Sequence, residues 1–197
     1  MSLTREDLDR LCAPSYVDGL GAATMTDLRQ RRDACQRAEI VLSYLRRVLQ
    51  GEIDLVLAEM EVRAEGGRSD VGRLVEELPA ILSSSGFLNE QAHLAVPSME
   101  AVAEILDLEE DIALEDLLAH VLTEEELAPV RGGALLPGAN LCTFGTEELQ
   151  ATLVHLRDKE SALSRRRRLL HEHIDEIQSA IVDRYKSGSA DPDSLLR

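Results

Sequence analysis

The chain has 197 residues, with 37 acidic against 21 basic side chains and a formal net charge of −16. That length suits one domain, or an extended element plus a small one, and the acidic balance argues against duplex nucleic acid as a direct partner, because phosphate contacts need a broad basic face. Aromatic residues make up 3% and Trp is absent, so the apolar surface is mostly Leu, Val, Ile and Ala, which favours helix-on-helix packing.

Residues 1–23 read as an N-terminal arm, with a short helical stretch over 5–11 followed by Pro14 and the Gly19/Gly21 pair. Its apolar residues Leu11, Tyr16, Val17 and Leu20 pack back on a core or clasp a partner. The charged start is no signal peptide, and no apolar run approaches the roughly 18–20 residues that span a bilayer. Cys12, Cys35 and Cys142 form no CxxC pattern or disulfide ladder. These features predict a soluble, cytoplasmic protein without a membrane partner.

From Thr24 or Thr26, either one an acceptable N-cap, to Ala64 there is no Pro and only one Gly, which predicts a first long helix within 24–66. Leu28, Cys35, Leu42, Leu49 and Val56 recur at a step of seven, the spacing of a coiled-coil seam. Cys35 lies on that track as a small core residue rather than a nucleophile. Residues 67–145 read as an acidic connector with helices near 70–82, 98–107, 114–121 and 124–127; between residues 70 and 148 stand 17 acidic residues against Arg73 and Arg131. Residues 132–146 carry no charge, as suits a loop tucked against helices or kept apolar for a partner. A second long helix, capped by Thr146, fills 146–187, with Leu149, Leu156, Leu163, Leu170 and Ile177 again at a step of seven. The polar tail 188–197 frays. No alternating strand pattern occurs, so the fold class is all-α.

The two long helices repeat one another. Residues 39–54 (EIVLSYLRRVLQGEID) and 160–175 (ESALSRRRRLLHEHID) are identical at eight of sixteen aligned positions, where chance gives about one. On a helical wheel Glu39, Ser43, Arg46, Gln50 and Asp54 fall within a strip about 80° wide, beside the apolar seam. Glu160, Ser164, Arg167, His171 and Asp175 repeat that strip. One such strip is what any solvated helix displays. Two at a fixed phase ask for a shared task, although a decaying duplication is the bland alternative.

The strip's chemistry suits a guanine nucleotide. Arg offers a bidentate fork to guanine O6 and N7, and Asp or Glu accepts from the N1–H and amino edge. Ser, Gln and the neighbouring Arg47, Arg165, Arg166 and Arg168 can serve phosphates or ribose. His171 and Asp175 are a turn apart, but no further cluster completes a metal site, so no metal is expected. No P-loop, GxGxxG or Ser-His-Asp pattern occurs.

The doubled pattern E-x3-S-x2-R-x3-Q/H-x3-D on two long helices resembles the cyclic di-GMP signature of the RsiG family, anti-sigma factors of sporulating actinomycetes. The likeness covers most of the chain, and its one variation is His171 where the first copy has Gln50. It implies a long antiparallel two-helix coiled coil that binds a cyclic di-GMP dimer, two molecules per chain, across both motifs. It further implies that the liganded protein, which is not an enzyme, captures a WhiG-like sigma factor of the flagellar type and holds late sporulation genes off. Against this stand a ligand-independent coiled-coil adaptor or polymerase-binding scaffold, and an enzyme that turns over a cyclic dinucleotide, which lacks the metal ligands such hydrolysis wants.

Overall fold

The computed structural model describes residues 3–64, 98–107, 114–123 and 141–188. Five α-helices lie in these segments: α1 (Arg5–Cys12), α2 (Met25–Ala64), α3 (Met99–Leu106), α4 (Leu114–Val121) and α5 (Thr146–Lys186). Single 3-10 turns occupy Pro14–Val17 and Leu141–Thr143. Among the described residues there is no strand. The helices expected near 70–82 and 124–127 and most of the uncharged loop lie outside the described residues.

Helix α2, of 40 residues, packs along α5, of 41 residues; at 1.5 Å per residue each is about 60 Å long. Arg29 meets Tyr185 at one end and Arg63 meets Phe144 at the other, so the two helices run in opposite directions. All ten seam positions named above are buried. Removing each such Leu from water is worth about 1.5–3 kcal/mol, which makes this seam the main source of the pair's stability.

The helix ends follow capping chemistry. At α2 the hydroxyl of Thr24 accepts from the Asp27 amide at 3.1 Å while Asp27 accepts from the Thr24 amide at 3.1 Å, so Thr24, not Thr26, is the cap. Thr4 and Asp7 do the same for α1. At α5 the expected cap shifts by one residue: Thr146 is the first helical residue, and Gly145 precedes it in extended conformation. The Gly145 amide donates to the Glu148 carboxylate at 2.7 Å, which takes up a donor that the helix itself cannot satisfy.

The arm packs back on the core. Leu8 and Leu11 of α1 are buried in the same cluster as the seam. The Leu11 carbonyl lies 2.8 Å from Nδ1 of the buried His173, and since a carbonyl only accepts, that nitrogen carries the proton. Tyr16 stacks on the same imidazole. Arg184 donates to the carbonyls of Leu20 and Gly21, and Arg31 to those of Tyr16 and Asp18. His173, Arg184 and Arg31 fall at about 220–280° on the wheel that puts Glu39 and Glu160 at zero. The arm therefore covers the face of the helix pair remote from the repeated strip. Burial raises the thiol of Cys12 to about 11 and that of Cys35 to about 12, so both stay protonated at neutral pH.

Candidate functional site

Opposite chain directions and a shared register bring the two strips onto one face. They overlap by their first halves, and the overlap is reciprocal. Arg167 of the second copy donates through Nε to Glu39 Oε1 and Ser43 Oγ of the first, both at 2.8 Å. Arg46 of the first copy places Nη1 3.6 Å from Glu160 Oε1 of the second. Within each copy the serine donates to its own glutamate one turn earlier, Ser43 to Glu39 at 2.6 Å and Ser164 to Glu160 at 2.8 Å. Six motif residues thus form a cluster with approximate two-fold symmetry, centred between Ser43 and Ser164.

The halves of this cluster are not equally tight. Glu39 accepts two charge-assisted or hydroxyl bonds below 3 Å and also lies 3.3 Å from His171 Nε2. Burial pushes its carboxyl up, but the hydrogen bonds from Ser43 and Arg167, with the charges of Arg167 and His171, outweigh burial and hold it below the usual glutamate range. Around Glu160 the arginine stands off by 3.6 Å, beyond good hydrogen-bond reach. Nε of Arg46 is buried and has no hydrogen-bond partner among the described residues.

The remaining motif residues extend from the cluster in opposite directions. Gln50 and Asp54 continue along α2, half-buried, while His171, 47% exposed on its side chain, and the exposed Asp175 continue along α5. Gln50, Asp54 and Asp175 make no side-chain hydrogen bond or ion pair among the described residues. From Asp54 to Glu39 the helix rises about 22 Å, so the doubled strip is long enough for a ligand larger than a mononucleotide.

Of the auxiliary arginines, Arg47 is half-buried and Arg168 exposed, both at about 80° on the wheel, against the strip's outer edge. Arg166 lies elsewhere. Its carbonyl faces Cys12 of the arm at 3.9 Å, on the face remote from the strip. His171 and the buried His173 point to different faces, and among the described residues no three His, Cys, Asp or Glu converge as metal ligands.

Three features of the site were not read from the sequence. One is the crossed pairing itself, whose signal is an Arg seven residues after a Glu beside each seam. Another is a rung from Arg32 Nη1 to Gln178 Oε1 at 3.3 Å, next to Asp175 along the same face. The third closes the far end of the pair, where Arg63 bonds the buried Glu59 at 2.6 Å and the carbonyls of Phe144 and Leu141 at 2.6 and 2.9 Å.

No described helix is long and apolar enough to cross a membrane. No curated protein and no solved structure matches the chain. The profile of the RsiG-like family matches residues 14–82 and 137–197, which include both copies of the motif and both long helices. That family points to an anti-sigma-factor role, with a sigma factor as the partner. By this match over most of its length, the chain belongs to the RsiG-like family.

Proposed function

We propose that this protein is a non-enzymatic anti-sigma factor of the cytoplasm that binds cyclic di-GMP, two molecules per chain, across the paired strips. In the liganded state it captures a WhiG-like, flagellar-type sigma factor and so represses late sporulation genes. The helix pair serves it as an antiparallel coiled coil that fixes the register of the two motifs. The observation that carries the reading is the reciprocal cluster: two copies of one guanine-compatible residue set meet about a local two-fold, and cyclic di-GMP is itself built of two identical halves. The residues present suit such a ligand. Among the described residues Arg46 has a buried nitrogen without a partner, and Gln50, Asp54 and Asp175 offer polar groups that no other described side chain occupies. The acidic chain suits a sigma partner with basic surfaces.

A second reading has one observation in its favour. Crossed Arg–Glu pairs beside a seam are also what holds a plain coiled-coil adaptor in register. Calorimetric titration with cyclic di-GMP separates the two, with two molecules bound per chain expected and Arg46→Ala or Asp175→Ala weakening the binding. Sigma pull-down with and without ligand then tests the coupling. Absence of heat and of thermal protection at saturating ligand removes the ligand reading, and ligand-independent capture favours the adaptor.

A further inference from the structure

The strip continues past its cluster through residues outside both motifs, and the continuation differs at its two ends. Arg32 stands one heptad before Glu39, and Gln178 one heptad after His171. Arg32 reaches across the helix pair to Gln178 Oε1, while its Nε and Nη2 donate to Asp33 Oδ1 at 3.2 and 2.9 Å. At the repeat offset of 121 the matching positions are Leu153 and Leu57. Leu153 is buried, and Leu57 is exposed, at 38%. The basic residue at that other end, Arg157, stands three residues before Glu160, where α2 carries Gln36, so it is not the counterpart of Arg32.

We propose that Arg32 is a ligand-binding residue of the nucleotide site, taking an anionic phosphate oxygen at the end formed by His171 and Asp175. This rests on the cyclic dinucleotide reading above and adds an asymmetry to it. The centre of the site has two-fold symmetry, whereas one end is closed by a cationic rung and the other by leucine. The guanidinium is available because its present partners hold it weakly: Gln178 is a neutral amide, and the Asp33 side chain is 58% exposed. Exposed pairs of that kind contribute little. A phosphate offers the fork two charged oxygens, whereas Asp33 presents it with one and Gln178 is uncharged.

The test is calorimetric titration of the full chain with cyclic di-GMP, comparing the parent with Arg32→Ala, Arg32→Lys and Arg10→Ala, the last on the arm face. Arg32→Ala is expected to weaken binding roughly tenfold, the loss of one charge-assisted contact. Arg32→Lys recovers part of the loss, since it keeps the charge without the fork, and Arg10→Ala matches the parent. Unchanged binding in Arg32→Ala overturns the proposal while leaving the proposed function standing, as does an equal loss in Arg10→Ala, which would reduce the effect to net charge. A parent chain that does not bind removes the proposed function itself, and this proposal with it.

Discussion

Glu39 and Glu160 occupy equivalent places in the two motif copies, and the structure separates their contributions to stability. Their side chains are similarly exposed, 20% and 23%, so desolvation does not distinguish them. Geometry does. Glu39 takes Arg167 Nε at 2.8 Å and Ser43 Oγ at 2.6 Å, whereas Glu160 takes Ser164 Oγ at 2.8 Å and only a 3.6 Å contact with Arg46. A hydrogen bond to a charged group contributes about 1.5–3 kcal/mol when shielded, and an exposed ion pair about 0–1. Partial exposure places Glu39→Ala near a 2 kcal/mol loss and Glu160→Ala near 1 kcal/mol. Urea unfolding at neutral pH with a common slope reads the two as shifts in midpoint. Equal midpoints, or a larger loss for Glu160→Ala, would show that the tighter half of the cluster is not where the stability lies. A double-mutant cycle of Glu39→Ala with Arg167→Ala should return a coupling of about 1 kcal/mol, and zero coupling would refute the contact directly.

Other outcomes follow from the same chemistry. Glu39 has a lowered folded pKa, so the stability it adds is complete above the unfolded value of 4.5 and is lost as the pH falls below that value; Glu39→Gln should flatten the acid limb of a stability–pH curve, and an unchanged limb would count against the pairing. Arg63→Ala takes the guanidinium from the fully buried Glu59 and the donors from the carbonyls of Leu141 and Phe144, a cost of about 3 kcal/mol in denaturant. Gly51 lies within α2 with nothing within 4 Å of where a Cβ would stand, so Gly51→Ala should stabilise the chain by about 0.5–1 kcal/mol, seen as a raised Tm.

The seam was legible because burial at a step of seven is a property of each helix alone: the heptad leucines of α2 and α5 need no knowledge of the partner. The strip was legible for the same reason, being a matter of phase along one helix. Lateral register was not. Which residue of one strip meets which residue of the other depends on how far α5 is offset along α2, so the crossed pairs of Arg167 with Glu39 and Arg46 with Glu160 appear only once the helices are placed. The arm shows the same limit. Leu11 is apolar whether it meets the core or a partner, and the choice is made by His173, which is 162 residues distant in sequence. Glu59 and Lys159 lie on heptad helices and look solvated in sequence, yet both are buried. For Glu59 the reason is a partner fixed by a remote turn, since Arg63 is held by Phe144 and Leu141. At Gly145 the local rule favoured Thr146 as a cap. The actual solution puts an extended glycine before it and uses Glu148 to reach back.

The crossed cluster makes the candidate site a property of the helix pair and not of either helix. Each arginine sits beside a glutamate of the other helix, so a shift of one turn, about 5.4 Å, would part both pairs and pull the two motif copies out of line. A ligand that engages both copies therefore binds only the paired register, and by linkage it must stabilise that register. At a free concentration one hundred times its Kd, each molecule bound to the folded chain alone adds about 2.7 kcal/mol. Two independent molecules on the proposed reading would add about twice that, a shift of roughly 10–20 °C in Tm for a chain of this size. Thermal melts across a cyclic di-GMP titration measure it. The rise should shrink in Arg167→Ala beyond what the loss of stability explains, because that guanidinium serves the register and the ligand alike. A ligand that binds without raising the Tm would have to bind the unfolded chain as well, and the paired geometry would then have no part in recognition.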